Sequence, residues 1–170
     1  MLEINGIAVS SGIAVAKAYC LIEPDLSFEK VKVTDIAAEK SRLKEAYEKS
    51  KLELEEIRDI AHTKFGEEKA AIFSAHLLLL GDPEMLGAIE AKIDDGWNAE
   101  ASLQETATMF IDMFEAMDNE YMKERAADIR DVSTRLLSHL LGVEIPDFSR
   151  ISTDVIIVAE DLTPSLTAQL

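Results

Sequence analysis

The 170-residue chain is 48% hydrophobic, enough for one ordinary domain or two small ones with a real core, and its 33 acidic against 17 basic residues give a net charge of −16. That balance repels nucleic-acid backbones and anionic membranes, and excludes both as expected partners. The only cysteine, Cys20, excludes an internal disulfide. With no run of eighteen apolar residues and no basic, apolar leader, a soluble cytoplasmic protein is expected.

The stretch GIAVSSGIAVAKAYCLIE, from Gly6, alternates small and β-branched residues and is punctured by glycines. It predicts two short strands joined by a Ser-Ser-Gly turn, with Cys20 as a small core residue. After Pro24 the composition turns to Lys, Glu, Leu and Ala. From Thr34 to Phe65, Ile36, Leu43, Tyr47, Leu54, Ile57, Ala61 and Phe65 recur at helical steps, with Thr34 or Asp35 as the cap. Such a helix runs on the order of 45 Å. Gly66 predicts a left-handed C-terminal turn, and Glu67, Glu68 and Lys69 start a second helix that places Ile72, Ala75, His76 and Leu79 on one face.

Gly81-Asp82-Pro83-Glu84-Met85 predicts a bend: Asp82 caps, and Pro83 fits the first helical position because its missing N–H would be unpaired there. Leu86, Ile89 and Ile93 carry the next face up to Gly96. Asn98 caps a third helix striped by Leu103, Ala107, Phe110, Phe114 and Met117. A fourth follows Asp118-Asn119, with Met122, Ala126, Ile129, Leu136 and Leu140 inward and Gly142 as terminator. Beyond Pro146, DVIIVAEDL reads as a buried strand and LTPSLTAQL as a helix start capped by Thr163 or Ser165, half of a βαβ unit. The pattern therefore predicts a mainly α chain with an α/β part: an antiparallel four-helix bundle projecting from an α/β layer built by both ends.

The candidate chemistry is sparse. His62 and His139 fall near helix C-termini and read as surface or capping residues. His76, in the apolar run IFSAHLLLL, reads as a packing or interface residue. No zinc spacing, glycine-rich phosphate loop or catalytic carboxylate pair stands out, so no metal site is expected. The run LELEEIRD reads as a solvated helix face, and Trp97 as an anchoring core residue. An adaptor reading, with the first helix as a self-associating scaffold, is opposed by Ala46, Ser50 and Ala61, which interrupt a heptad seam.

FGEEKAAIFSAHLLLLGDPEM, DNEYMKERAADIRDVSTRLL and VIIVAEDLTPSLTAQL together resemble the N-terminal domain of Enzyme I, the phosphoenolpyruvate-protein phosphotransferase family of the bacterial sugar phosphotransferase system. SSGIAVAKAY resembles that family's opening segment, with Ser11 where proline is usual. Phosphoenolpyruvate synthase and pyruvate phosphate dikinase share the phosphohistidine unit, but the helical insert and EEKAAIF favour Enzyme I. A nitrogen-regulatory paralogue would be expected to carry a sensor domain before Gly6.

The resemblance implies a four-helix HPr-binding subdomain, residues 31–143, inserted into an incomplete α/β phosphohistidine (swivelling) subdomain formed by residues 1–30 and 144–170. It implies transfer of a phosphoryl group from phosphoenolpyruvate through a histidine to the small carrier HPr for sugar uptake. That histidine is expected beyond Leu170, leaving no catalytic residue here and an inactive segment. Glu67, Glu68, Ala71, Leu78, Leu79, Glu84, Met85, Arg125, Asp128 and Arg130 are implied to face HPr. Lys69 and Thr167 are implied to lie near the phosphohistidine. No cofactor is expected in this segment: magnesium and phosphoenolpyruvate belong to a C-terminal barrel, which also dimerises the parent, so a monomer is expected here.

Overall fold

The computed structural model describes residues 6–148 and 151–170; residues 1–5 and 149–150, which the expected terminal α/β pieces include, lie outside the described residues. Helix α1 (Ile36–Phe65) begins where its cap predicts, with Asp35 accepting from the Ala38 amide at 2.9 Å. Its buried stripe is Leu43, Ala46, Ser50, Leu54, Ile57 and Ala61, packed against helices from both sides. The small residues that would weaken a coiled-coil seam are thus buried within the chain itself. Phe65, expected on the same stripe, is 52% exposed.

Gly66 ends α1 at φ +86° and ψ −178°, so the expected positive φ is present but the backbone is more extended than a compact left-handed turn. Helix α2 (Glu67–Leu80) follows at once. Its inward residues are Ala70, Phe73, His76 and Leu80, while Ile72 is 39% exposed. The face is therefore rotated from the expected Ile72–Ala75–His76–Leu79 set, because two aromatic rings, Phe73 and His76, fill the contact edge to face at 5.6 Å.

Helix α3 (Pro83–Asp94) starts at the predicted break, with Asp82 accepting from the Glu84 and Met85 amides, both at 2.9 Å. Taken as one stretch, 67–94 is long enough to cross a membrane and contains an 18-residue window apolar enough by composition to do so, with mean hydropathy 1.3. Here it is interrupted at Pro83, and Phe73, Leu80, Met85, Ile89 and Ile93 are all buried within the protein.

Helix α4 (Ala99–Glu115) has Asn98 at its cap position, but the Asn98 side chain is used elsewhere. It accepts from the Val31 amide and donates to the Glu29 carbonyl, pinning the segment before α1. The first α4 amide, at Ala99, donates instead to buried Glu39 of α1 at 2.7 Å. Arg42 bridges Glu39 and Glu100, and the Glu100 hydrogen bond foremost holds its guanidinium pKa above the ordinary value. A cap at one helix start is thereby supplied from another helix.

Helix α5 (Glu120–Leu141) is capped by Asn119, and Gly142 closes it in the left-handed conformation, as predicted for its terminator. Leu54, Ile89, Ile93, Leu103, Ile129 and Leu136 form the centre where these helices meet. Glu53, in the run read as a solvated face, reaches across to α5: its carboxylate receives Arg135 at 2.6 Å and lies 3.1 Å from His139. His139 is accordingly only 18% exposed rather than a surface residue.

Strands β1 (Lys17–Cys20) and β2 (Val155–Val158) pair in parallel, Lys17 opposite Val155. Both ends of the chain therefore share one sheet, and α6 (Pro164–Thr167) follows with Thr163 as its cap. The expected strand before the Ser-Ser-Gly turn is not formed among the described residues: Ile7, Val9, Ile13 and Val15 are over nine-tenths exposed, and a strand without a ladder partner has no stability. Cys20 is exposed for the same reason, since β1 has one neighbour among the described residues.

Trp97 is half-buried rather than central. It pairs with Lys32 in an isolated bridge, with the Lys32 and Lys30 ammonium groups 3.8 and 4.1 Å from its ring centroid. Glu105 completes this corner by accepting from Lys30 and from Lys92, and these two hydrogen bonds, Lys30 first, hold its carboxyl below the ordinary glutamate value. A depressed acid stabilises the fold above its unfolded value and loses that contribution as pH falls through the folded one. Glu105→Gln is therefore expected to lower stability slightly at neutral pH and not at strongly acidic pH. The difference should shrink in high salt, because the group is 39% exposed. Urea melts at two pH values and two salt concentrations test this, and an equal loss at both pH values would refute it.

Candidate functional site

Helix α2 starts directly after Gly66, and its first three residues are open to solvent. Glu67, Glu68, Lys69, Ala71 and Ile72 are exposed, and one turn before the bend Leu78 is 77% exposed. Leu79 is half-buried and packs on the core, while Glu84 is exposed beside the bend. Met85 is different: at 5% exposure it lies in the main core, because Asp82 turns the α3 start so that its first apolar residue points inward. Its expected place on the surface is corrected to a support beneath it. Glu67 pairs with exposed His62 at 3.0 Å, which ties the ends of α1 and α2 together.

Lys69 and Thr167, far apart in sequence, line one cleft of about 370 Å³ with Phe65, Ile72, Phe73 and Pro164. The Thr167 hydroxyl donates to the Thr163 carbonyl at 3.0 Å, which holds it on the first turn of α6. The cleft thus combines a cation and a hydroxyl at its mouth with apolar walls.

On α5, Arg125 donates to Asp128 at 3.1 Å and lies over the Tyr121 ring, and Arg130 pairs with Glu115 at 2.9 Å. The second Asp128 oxygen is 3.0 Å from Nε2 of His76. Sequence reasoning read His76 as a packing or interface residue and missed this bond. It also missed Asp131, whose carboxylate is 3.9 Å from Nδ1 of His76 and accepts from the Ser165 hydroxyl. The available signal was Asp128 and Asp131 three apart, on either side of buried Ile129 and facing a histidine in an apolar run. Among the described residues no group of three or more His, Cys, Asp or Glu side chains could hold a metal ion.

The family model described as PEP-utilising enzyme, N-terminal, matches residues 5–125, and the chain belongs to that family. Phosphoenolpyruvate-protein phosphotransferase of Bacillus subtilis (strain 168) is 61% identical over 171 residues, covering 100% of this chain and 30% of that protein. The protein of the same name from Staphylococcus aureus (strain MRSA252) is 57% identical over 169 residues, covering 98% of this chain and again 30% of its own length. The chain thus spans less than a third of the curated relatives it matches. Among solved structures, the NMR solution structure of Enzyme I (nEIt) superposes with a TM-score of 0.86 at 35% identity, over 95% of this chain and 66% of that one. The N-terminal domain of Enzyme 1 - Nitrogen gives 0.71 at 29% identity, over 94% and 66%. The helical bundle with a small α/β portion is the architecture these neighbours share with it.

Proposed function

We propose that this chain is the HPr-docking part of a phosphoenolpyruvate-protein phosphotransferase working in the cytoplasm. The whole enzyme takes a phosphoryl group from phosphoenolpyruvate onto a histidine outside these 170 residues and passes it to HPr for sugar uptake. The observation that carries the reading is the outward side of α2 and the bend after it. Glu67, Glu68 and Glu84 form an acidic rim around Ala71, Leu78 and the exposed edge of Leu79, a pattern complementary to a basic, apolar partner face. Arg125, Asp128 and Arg130 extend the same surface from α5, each held in an ion pair.

In this reading Lys69 neutralises phosphoryl charge at the mouth of the adjoining cleft, and Thr167 hydrogen-bonds the incoming imidazole. Magnesium and phosphoenolpyruvate are handled elsewhere in the enzyme, and this segment needs no cofactor of its own. It is a monomer in this reading: the α1 stripe that a scaffold would use is covered by neighbouring helices.

The test is titration of HPr into the 170-residue chain by calorimetry, with light scattering on the same samples. A one-to-one complex of two monomers is expected. Incubation with phosphoenolpyruvate and magnesium should leave His62, His76 and His139 unphosphorylated. Absence of HPr binding, or a phosphohistidine at any of the three, would refute the reading.

A further inference from the structure

One line of polar groups crosses the apolar contact between α2 and α5 and runs on into the α6 turn. At its outer end Asp128 receives Arg125 on Oδ2 and lies 3.0 Å from Nε2 of His76 through Oδ1. A carboxylate only accepts, so Nε2 carries the proton in that bond. The ring is completely buried, and its other nitrogen, Nδ1, is without a hydrogen-bond partner. Asp131 Oδ2 stands 3.9 Å away, too far for a hydrogen bond, and it attracts the ring only when Nδ1 is protonated as well. Asp131 accepts from the Ser165 hydroxyl, 3.0 Å from each of its oxygens, and Ser165 Oγ lies 3.1 Å from Thr163 Oγ1. Thr163 in turn caps α6 and accepts the Thr167 amide and hydroxyl on its carbonyl.

Packing alone does not account for these groups. His76 lies among Phe73, Leu80 and the α5 stripe, where an apolar side chain would fill the volume without the desolvation cost of a ring nitrogen and two carboxylates. What the polar groups add is direction. The apolar contacts of Leu166 and Ala168 have no preferred direction, whereas the charge-assisted hydrogen bond from Ser165 to the Asp131 carboxylate does.

We propose that His76 is a positioning residue: the line Arg125–Asp128–His76–Asp131–Ser165 holds the turn bearing Thr167 in register with the docking face, so that a change at Asp128 is transmitted to Ser165. Its purpose rests on the docking reading, but its test does not. The joint between His76 and Asp131 is the adjustable link, because it is the one step in the line made by proximity and not by a hydrogen bond.

The test uses the isotopically labelled 170-residue chain without a partner. Asp128→Asn is expected to shift the amide resonances of Ser165 and Thr167. In a His76→Gln background the same change should leave them where they were, since a glutamine amide replaces Nε2 toward Asp128 and leaves nothing at Nδ1. Equal shifts in both backgrounds, or none in the parent chain, would overturn the proposal. Should His76→Gln fail to fold, Ser165→Ala reads the line from its other end: the His76 ring nitrogens should shift, and unchanged ring resonances would overturn it. Addition of HPr then separates the two ideas. Loss of all HPr-induced shifts over residues 67–79 of the parent chain refutes docking alone, while retained shifts there with loss at Ser165 in His76→Gln is the result expected if both hold.

Discussion

Reversing Glu67 and Glu68 together to lysine is expected to weaken HPr binding by roughly ten- to a thousandfold, most of it in the association rate. Both carboxylates sit at the exposed start of α2, so the substitution leaves the core untouched, and it places two cations opposite a basic partner. The same change also sets positive charge at a helix N-terminus and breaks the His62 contact, which lowers stability by about 1 kcal/mol. The two effects separate by salt. The binding defect should be largest at low ionic strength and narrow as salt rises, while the stability loss at fixed salt is measured on the chain alone. Stopped-flow association of HPr with the parent and the double variant is the measurement. A defect confined to the dissociation rate and indifferent to salt would remove the acidic rim from the docking surface.

The largest effect on folding is expected from Ile93→Ala, at about 2–5 kcal/mol. Ile93 is fully buried on the last turn of α3, in the cluster shared with Leu103 of α4 and Leu43 of α1. Deleting three carbons there opens a space that three helices would have to close together, so relaxation is limited and the cost falls toward the upper part of that range. Ile7→Ala makes the same chemical change at a residue 92% exposed and should alter stability by under about 0.5 kcal/mol. Urea denaturation of the pair measures the contrast, and equal midpoints would mean that Ile93 is not packed as described.

The helices were legible because each carries its own punctuation. Asp35, Asp82, Asn119 and Gly142 act at the positions their chemistry predicts, through bonds made within one turn of the chain. Long-range substitutions of role were not legible. Asn98 has the composition of a cap and the work of a tether, because Glu39, distant in sequence, arrives at the amide first. The rotation of α2 was missed because four consecutive leucines give no preferred side; the choice is made by Phe73 and His76 meeting α5. Of the residues that the resemblance implies for docking, Glu67, Glu68, Ala71, Leu78 and Glu84 lie exposed, whereas Met85 is buried. The first residue after a proline-started turn points inward or outward depending on a bend angle that no local sequence specifies. Cys20 and the early strand were misjudged for a related reason, since the burial of a strand depends on neighbours supplied by other parts of a sheet.

The parallel pairing of β1 with β2 has a consequence for the order of events as the chain is made. The two strands are separated by the whole helical region, so their ladder closes a very long loop, and a two-stranded sheet returns too little to do that unaided. The contacts of α1 with α2 and of α4 with α5 join neighbours in sequence and can form early. Once those hairpins meet at the shared core, the entry to α1 and the exit from α5 are fixed in space, and most of the loop entropy has already been lost. The bundle thus acts on its flanking strands as an intramolecular chaperone, bringing the strand made before it to a partner made after it.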